Sequence, residues 1–308
     1  MRALKSASLL VVPLLAFFVP IASSAPAASA RTASTGLSYV AMGSSFAAGP
    51  GIDPTEPGSA VSCGRSAENY ANLLAQRLGA ALTDVSCLGA TTANILTTDQ
   101  NGQPPQIEAT GPSTRLVTVT IGGNDIDYFG SLAAYSCQDG GGHGCHAVNV
   151  PAIDRSLRVL IKRLENVVHA VHTRSPRARV LLVNYFTVLP ARGTCAGVPL
   201  SPRHQAFERN LALDLATDTA VAARATGATL VDLAGASAQH DACSADPWVN
   251  TFYPAAGRWA YHPTVAGMAG AASLIEKVLR TSGDSLYGGE NKGDALDALG
   301  APNPISIL

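Results

Sequence analysis

The sequence predicts an α/β fold, a three-layer α/β/α sandwich in which helices cover both faces of a five-stranded, mostly parallel sheet. Five apolar or β-branched runs alternate along the chain with segments whose apolar residues recur at helical spacing. Such alternation favours parallel strands joined by crossover helices that pack on the sheet. Hydrophobic residues make up 47% of the chain, which is ample for burying a sheet on both faces.

The elements follow in order from these patterns. Strands are predicted, in chain order, over residues 37–42, 82–85, 115–121, 178–185 and 229–233. The fourth run is almost continuously apolar, as a parallel strand buried on both faces should be. Helices are predicted over residues 68–78, 151–172, 203–226 and 263–280. The glycine-rich stretch 135–150 carries two cysteines, and there we expect an irregular excursion rather than a helix.

Both ends of the chain differ in character from the single domain predicted for residues 31–281. Residues 1–30 have the pattern of a signal peptide, with a basic start, an apolar centre and a small-residue cleavage site ending at Ala30. The apolar centre is too short to span a bilayer, so we expect a secreted protein without a stable membrane anchor. Residues 282–308 lose the apolar periodicity and are predicted to be a flexible C-terminal tail.

Charge and cysteine content narrow the classes of function. The net charge of −1, without basic clusters, argues against nucleic-acid binding. Six cysteines in an exported chain favour three disulfides, and the sequence alone leaves fifteen pairings open. A zinc site is the alternative, because His143, Cys145 and His146 lie close together. The paired cysteine spacing usual for zinc is absent, and we expect no metal.

Chemistry-bearing residues follow three of the predicted strands and precede the last helix. In a parallel sheet, functional groups collect at the carboxyl ends of the strands. The stretches are Gly43-Ser44-Ser45, Gly89, Gly123-Asn124 and Trp259-Ala260-Tyr261-His262. Together they resemble the blocks of the SGNH hydrolases, also called GDSL esterases and lipases, and especially the secreted three-disulfide branch. The resemblance covers about residues 37–280 and implies the flavodoxin-like fold of that family.

The resemblance implies roles for four of these residues. Ser45 matches the nucleophile and His262 matches the base that takes its proton, a role that neutral imidazole can fill. The oxyanion hole would consist of the backbone N–H groups of Ser45 and Gly89 and the side-chain amide of Asn124. We expect activity to fall below about pH 6, where an ordinary imidazole becomes protonated.

The sequence departs from the family pattern at two positions beside these residues. Ser44 stands where the family usually has aspartate, and we expect altered loop hydrogen bonding rather than lost activity. Trp259 stands where the acid that supports the histidine is usual. Some secreted members use a backbone carbonyl instead, so we expect the Trp259 carbonyl to orient His262. Asp241 and Asp246 are the alternative acids.

Two further expectations follow from the family. Its cysteine arrangement implies the disulfides Cys63–Cys87, Cys137–Cys145 and Cys195–Cys243. A literal Gly-Asp-Ser-Leu string contains Ser285, but this serine follows no predicted strand and comes after the histidine. We therefore exclude Ser285 as the nucleophile.

The sequence thus predicts a secreted carboxylic-ester hydrolase, an esterase, lipase or phospholipase, that works through an acyl-serine intermediate without a cofactor. We expect a monomer acting on a lipid or fatty-acyl ester. Aromatic residues near the motifs are candidates for an acyl groove: Phe46, Tyr128, Phe129, Trp248, Phe252, Tyr253 and Trp259. The alternatives are an esterase of acetylated polysaccharides, a non-catalytic glycan-binding protein on the same fold, and an α/β-hydrolase. The last is disfavoured because the serine follows the first strand.

Overall fold

A computed structural model describes residues 36–281. The predicted signal peptide at 1–30, the predicted tail at 282–308 and Ser285 lie outside the described residues. Among the described helices, none is long and apolar enough to cross a membrane.

The sheet has five strands in the order β2-β1-β3-β4-β5, and every neighbouring pair is parallel. The strands are β1 (Ser38–Gly43), β2 (Ala81–Asp84), β3 (Leu116–Thr120), β4 (Arg179–Val183) and β5 (Thr229–Val231). The predicted fold class is confirmed, and each strand lies at its predicted place to within three residues at either end. All of β3 is buried, whereas the edge strand β2 alternates between exposed and half-buried residues. This difference is expected when helices cover both faces of the central strands.

Eight α-helices surround the sheet among the described residues. They are α1 (Ser45–Ala48), α2 (Tyr70–Leu78), α3 (Thr92–Leu96), α4 (Tyr128–Asp139), α5 (Val150–Arg174), α6 (Pro202–Thr226), α7 (Leu233–Ala236) and α8 (Val265–Thr281). Short 3₁₀ turns occupy Val61–Cys63 and Gln106–Ala109. Helix α2 packs against α8, and α5 packs against α6. Two helix layers are expected from this strand order, because the chain moves one way along the sheet to β2 and the other way to β5, and crossovers between parallel strands are almost always right-handed.

The long helices begin and end where local chemistry favours it. Asn149 caps α5 by accepting a hydrogen bond from the Ala152 N–H, and Pro151 lies in the first turn. Ser201 caps α6 in the same way, and Gly227 ends it in the left-handed conformation. These signals explain why the predicted bounds of both helices agree with the structure to within two residues.

Helix α4 contradicts part of the predicted irregular excursion at 135–150, because the helix continues to Asp139. Its sequence contains a glycine, which weakens the local helical preference. The helix buries Tyr128, Leu132 and Ser136 and packs against α6. Tertiary packing therefore outweighs the local signal that predicted a loop.

Three disulfides pair the cysteines as the family resemblance implied: Cys63–Cys87, Cys137–Cys145 and Cys195–Cys243. The zinc alternative is wrong for Cys145, since its sulfur is bonded to Cys137. The first disulfide joins the chain just after β2 to the loop that follows α1, close to the carboxyl edge of the sheet.

The direction in which successive strands are added to the sheet reverses between β1 and β3. The chain runs from β1 out to β2 and then returns across β1 to β3. In open α/β sheets, ligands bind outside the carboxyl ends of the strands at such a reversal. Ser45 follows β1 and Asn124 follows β3, so both lie at this point.

Candidate active site

The turn after β1 carries Ser45 and is held from two sides. The φ angle of Gly43 is +145°, and a Cβ there would lie 2.5 Å from the Thr120 carbonyl oxygen. This position therefore requires glycine. The Gln106 side chain accepts a hydrogen bond from the Gly43 N–H at 2.7 Å and donates one to the Gly43 carbonyl at 3.0 Å. The Ser44 N–H donates to the Thr120 carbonyl at 2.9 Å, and Ser45 then begins α1.

Ser45 and His262 meet although 217 positions separate them in the chain. The Ser45 Oγ lies 2.9 Å from the His262 Nε2, and the His262 Nδ1 lies 2.8 Å from the Ala260 carbonyl oxygen. A carbonyl oxygen only accepts, so Nδ1 carries the proton and donates it. Nε2 is then left as the acceptor of the serine hydroxyl. This arrangement is the one that a general base and its nucleophile require.

The expectation for Trp259 is wrong: the carbonyl that holds the imidazole belongs to Ala260. The Trp259 carbonyl accepts the His262 backbone N–H at 3.3 Å, which closes a tight turn, and the Asn250 side-chain amide at 3.1 Å. Within that turn, Tyr261 has a φ angle of +60°, in the left-handed region. The Trp259 carbonyl thus accepts the backbone N–H of His262, and the Ala260 carbonyl remains to accept the N–H of the imidazole ring.

Neither alternative acid contacts His262. Asp241 accepts a hydrogen bond from the Cys243 N–H at 2.8 Å and thereby orders its own loop. The Asp246 carboxylate pairs with His240 at 3.4 Å and is 74% exposed. The two hydrogen bonds of the His262 ring go to Ser45 and Ala260, so no carboxylate of the described residues is bonded to it.

Burial controls the protonation of His262. The residue is only 8% exposed, and this desolvation lowers its pKa to about 4. The hydrogen bond to the Ala260 carbonyl opposes the shift because it favours the charged ring. The imidazole is therefore neutral, and available as a base, well below pH 6. The fall in activity expected at about pH 6 moves to a lower pH.

The candidate oxyanion donors lie on three neighbouring strand ends. The N–H of Ser45 is the first of a helix and therefore has no intrahelical partner. Gly89 has a φ angle of +79°, and a Cβ there would meet nothing closer than 3.7 Å. The positive φ angle, rather than crowding by other protein atoms, therefore favours glycine at this position. The Asn124 side-chain amide donates to the Ala90 carbonyl at 2.8 Å, which ties the third strand end to the second and leaves its other N–H.

Asp125, next to Asn124, stabilises the start of helix α3 near the carboxyl edge of the sheet. Its carboxylate accepts hydrogen bonds from the Thr92 N–H and hydroxyl and so caps helix α3. Asn124 takes no part in this cap, because its side-chain amide donates to the Ala90 carbonyl in the loop after β2.

Sequence reasoning missed two residues that support the nucleophile turn. Gln106 is 5% exposed and bonds both backbone groups of Gly43. The Tyr185 hydroxyl accepts the Gly123 N–H at 3.1 Å and lies 3.1 Å from the Ser44 Oγ. Burial raises the pKa of Tyr185 to about 12, so this hydroxyl stays protonated and can also donate. The position of Tyr185 at the end of a predicted strand could have indicated a place at the site edge of the sheet. Gln106 lies in a predicted loop, and no sequence pattern marked it as a site residue.

Three of the seven candidate aromatic residues lie against His262. The ring centroids of Phe46, Phe129 and Trp259 are 5.3, 5.8 and 5.5 Å from the imidazole. Trp248 instead stacks on His240 at 4.3 Å and is packing of the last loop. Trp259 is 43% exposed, which leaves its apolar surface open beside the serine.

The sequence matches known proteins over the same elements that build this site. The GDSL-like lipase/acylhydrolase family pattern matches residues 41–269. The chain belongs to this family. Lipase 2 of Streptomyces coelicolor is 36% identical over 219 residues, which are 68% of this chain and 74% of that protein. A lipase of Streptomyces rimosus is 30% identical over 269 residues, 87% of this chain and 94% of its own.

Solved structures agree with this GDSL-like lipase/acylhydrolase in fold. The extracellular lipase of Streptomyces rimosus superposes with a TM-score of 0.66 and 28% identity, covering 79% of this chain and 99% of its own. Phospholipase A1 of Streptomyces albidoflavus gives a TM-score of 0.65 and 26% identity over 80% of this chain and 99% of its own. The chain is a serine carboxylic-ester hydrolase of the family.

Proposed function

We propose that this chain is an exported lipase that hydrolyses fatty-acyl esters of lipids through an acyl intermediate on Ser45. The observation that carries the proposal is the continuous hydrogen-bonded line from the Ser45 Oγ through the His262 ring to the Ala260 carbonyl. A serine hydroxyl is a weak nucleophile until a positioned base removes its proton. This line supplies the base in the tautomer that the step needs.

In acylation, the Ser45 Oγ attacks the ester carbonyl while its proton passes to the His262 Nε2. The negative charge that develops on the carbonyl oxygen would be stabilised by the N–H groups of Ser45 and Gly89 and by the free N–H of Asn124. The imidazolium then gives its proton to the leaving alcohol. In deacylation, water gives a proton to Nε2 and attacks the acyl-serine. The imidazolium then returns that proton to the Ser45 Oγ as its bond to the acyl carbon breaks, and the fatty acid leaves.

The imidazolium in this mechanism is stabilised by a dipole rather than by a carboxylate. The Ala260 carbonyl fixes the ring orientation and accepts the Nδ1 proton, but it brings no full negative charge. Burial of the ring lowers the pKa of His262 to about 4, and the hydrogen bond to Ala260 opposes this shift only in part. We infer that Asp241 and Asp246 act in loop structure, and that their alanine variants retain most of the activity.

A lipid substrate is supported by the surroundings of His262 and by the relatives. Phe129 is half-buried and Trp259 is exposed, and their rings give an apolar border to the ester position that suits an acyl chain. Phe46 is fully buried and supports this border by stacking on Phe129. The similar proteins are named lipases and a phospholipase A1. We propose that residues 1–30 direct export, with cleavage near Ala30, and that residues 31–281 act as a monomeric catalytic domain without a cofactor.

A fluorophosphonate probe tests the nucleophile. We expect the purified protein to be labelled at one serine, and the Ser45→Ala variant to lose both labelling and ester hydrolysis. Ser44→Ala is the matched control, since Ser44 precedes Ser45 and bonds Tyr185; it should keep labelling and much of the rate. Labelling that survives in Ser45→Ala would contradict the assignment, and absence of labelling in the parent protein would favour a non-catalytic binding protein.

The substrate class is tested by a rate profile over p-nitrophenyl esters from acetate to palmitate, together with a phosphatidylcholine assay. A lipase is expected to prefer medium or long acyl chains. A profile that peaks at acetate and falls steeply with chain length would instead favour the esterase of acetylated polysaccharides. Release of fatty acid from phosphatidylcholine would identify a phospholipase.

A further inference from the structure

A cavity of about 420 Å³ lies between helix α6 and the segment 185–191 that follows β4. Its volume falls within the range of small-molecule sites, which is about 300–1,000 Å³. The lining is mostly apolar, and none of Ser45, Asn124 and His262 belongs to it. The cavity approaches the candidate active site at Tyr185, whose ring lines it and whose hydroxyl lies 3.1 Å from the Ser44 Oγ. It is therefore a neighbour of that site rather than a part of it.

One face of α6 forms a long side of the cavity. Arg209, Ala212, Leu213 and Ala216 line it, and they recur at the spacing of neighbours on a helix surface. The two alanines leave the volume open because their side chains are short. Leu213 is 64% exposed and thus marks the border with solvent. An aliphatic chain could lie along this face and remove the exposed apolar surface from water.

Arg209 is the only charged side chain among the described residues that line the cavity. Its Nε donates to the Pro190 carbonyl at 2.7 Å, and its Nη2 donates to the Gly193 carbonyl at 2.6 Å and to Gln205 at 3.2 Å. These bonds fix the guanidinium in place. Within residues 36–281, Nη1 makes no hydrogen bond and Arg209 has no carboxylate partner. The Arg209 guanidinium is thus fixed at the border of an apolar cavity, and the two N–H groups of its Nη1 have no hydrogen-bond partner among the described residues.

We propose that this cavity binds a fatty acid, with the carboxylate on the Arg209 guanidinium and the aliphatic chain along Ala212 and Ala216. The charge of Arg209 complements an anionic head group, and the two N–H groups of Nη1 remain to donate to a carboxylate. The proposal rests on the proposed function in one respect, since hydrolysis of a fatty-acyl ester releases this class of molecule. The bound product would occupy a place beside the catalytic serine without covering it.

Isothermal titration of laurate into the protein tests the site. We expect one laurate per chain, about tenfold weaker binding in Arg209→Gln for the loss of a charged hydrogen bond, and partial recovery in Arg209→Lys. Arg203→Gln is the matched control, because Arg203 is on the same helix and outside the cavity. Dodecyltrimethylammonium has the same chain with the opposite charge, and its binding should not weaken in Arg209→Gln.

A filled cavity gives the second measurement. Ala216→Phe should abolish laurate binding while the near-ultraviolet circular dichroism stays that of a folded protein. If that variant does not fold, Ala238→Leu takes its place, since Ala238 lines the opposite side. The proposal is overturned if the parent protein does not bind laurate, or if Arg209→Gln and the folded filled-cavity variant bind it as tightly as the parent.

Hydrolysis of p-nitrophenyl butyrate in the same preparations separates this inference from the proposed function. Arg209→Gln should keep the rate of the parent protein. Intact hydrolysis without laurate binding would overturn the fatty-acid site alone. Hydrolysis that persists in Ser45→Ala would overturn the proposed function, whatever the titration shows.

Discussion

The pH dependence of hydrolysis gives a direct test of the buried imidazole. His262 is 8% exposed, and burial lowers its pKa to about 4, against an ordinary value of about 6.5. Because the base must be neutral, kcat/KM should follow the unprotonated fraction of the free enzyme. With a pKa of about 4 this fraction is about nine-tenths at pH 5; with an unshifted pKa it is about 3%. The two cases differ roughly thirtyfold at one pH.

The assay is kcat/KM for a soluble short-chain ester from pH 3.5 to 8, with the released alcohol quantified by chromatography so that ionisation of the products plays no part. Circular dichroism at each pH must show that the protein is folded, and Ser45→Ala supplies the background rate. We expect a plateau that extends below pH 6 and a half-maximal value near pH 4. A half-maximal value between pH 6 and 7 in the folded enzyme would refute the argument from burial.

Three further predictions concern catalysis and stability. Asn124→Ala should lower kcat by about 10²–10³ with little change in KM, measured by steady-state kinetics, because one oxyanion donor is lost. Burial raises the pKa of the Glu208 carboxyl to about 8, so the native state binds its proton more tightly than the unfolded chain does. The free energy of unfolding should therefore decline by on the order of 4 kcal/mol as the pH rises from about 4.5 to 8. Glu208→Gln should flatten that decline and raise the melting temperature at pH 8 in a thermal scan; an unchanged slope would exclude Glu208 as its source. Removal of the Cys195–Cys243 disulfide, which spans 48 residues, should cost about 4 kcal/mol in urea unfolding, and removal of Cys137–Cys145, which spans 8 residues, about 2.5 kcal/mol. The reverse order would contradict the loop-closure explanation.

Local sequence patterns were sufficient to predict the strands of the sheet and the long helices. The apolar runs predicted the three central strands, because a strand buried on both faces needs apolar residues at nearly every position. The two edge strands, β2 and β5, were predicted from shorter runs and are only partly buried. Pro151 indicated the start of α5, because proline is favoured in the first turn of a helix. Helix α4 was not predicted, because the contacts that stabilise it come from α6, some 70 residues later in the chain.

The resemblance of four short motifs to the SGNH family was likewise enough to pair Ser45 with His262 as candidates. A motif fixes residue types and their place on the sheet edge, and parallel strands bring those edges together. It does not fix which carbonyl meets the imidazole. That partner depends on the left-handed conformation of Tyr261, which assigns the Trp259 carbonyl to the turn and the Ala260 carbonyl to the ring.

What only the tertiary structure decided is the environment of these groups. The pKa of His262 follows from the packing that removes water from its ring, and the nucleophile turn is held by Gln106 and Tyr185, which are distant in the sequence. The cavity beside Arg209 exists because α6 places alanines opposite the segment after β4. Burial, hydrogen-bond partners and empty volume are properties of several elements packed together. The sequence therefore determined which residues are candidates for the chemistry, and the packed structure determined how each of them is held, charged and surrounded.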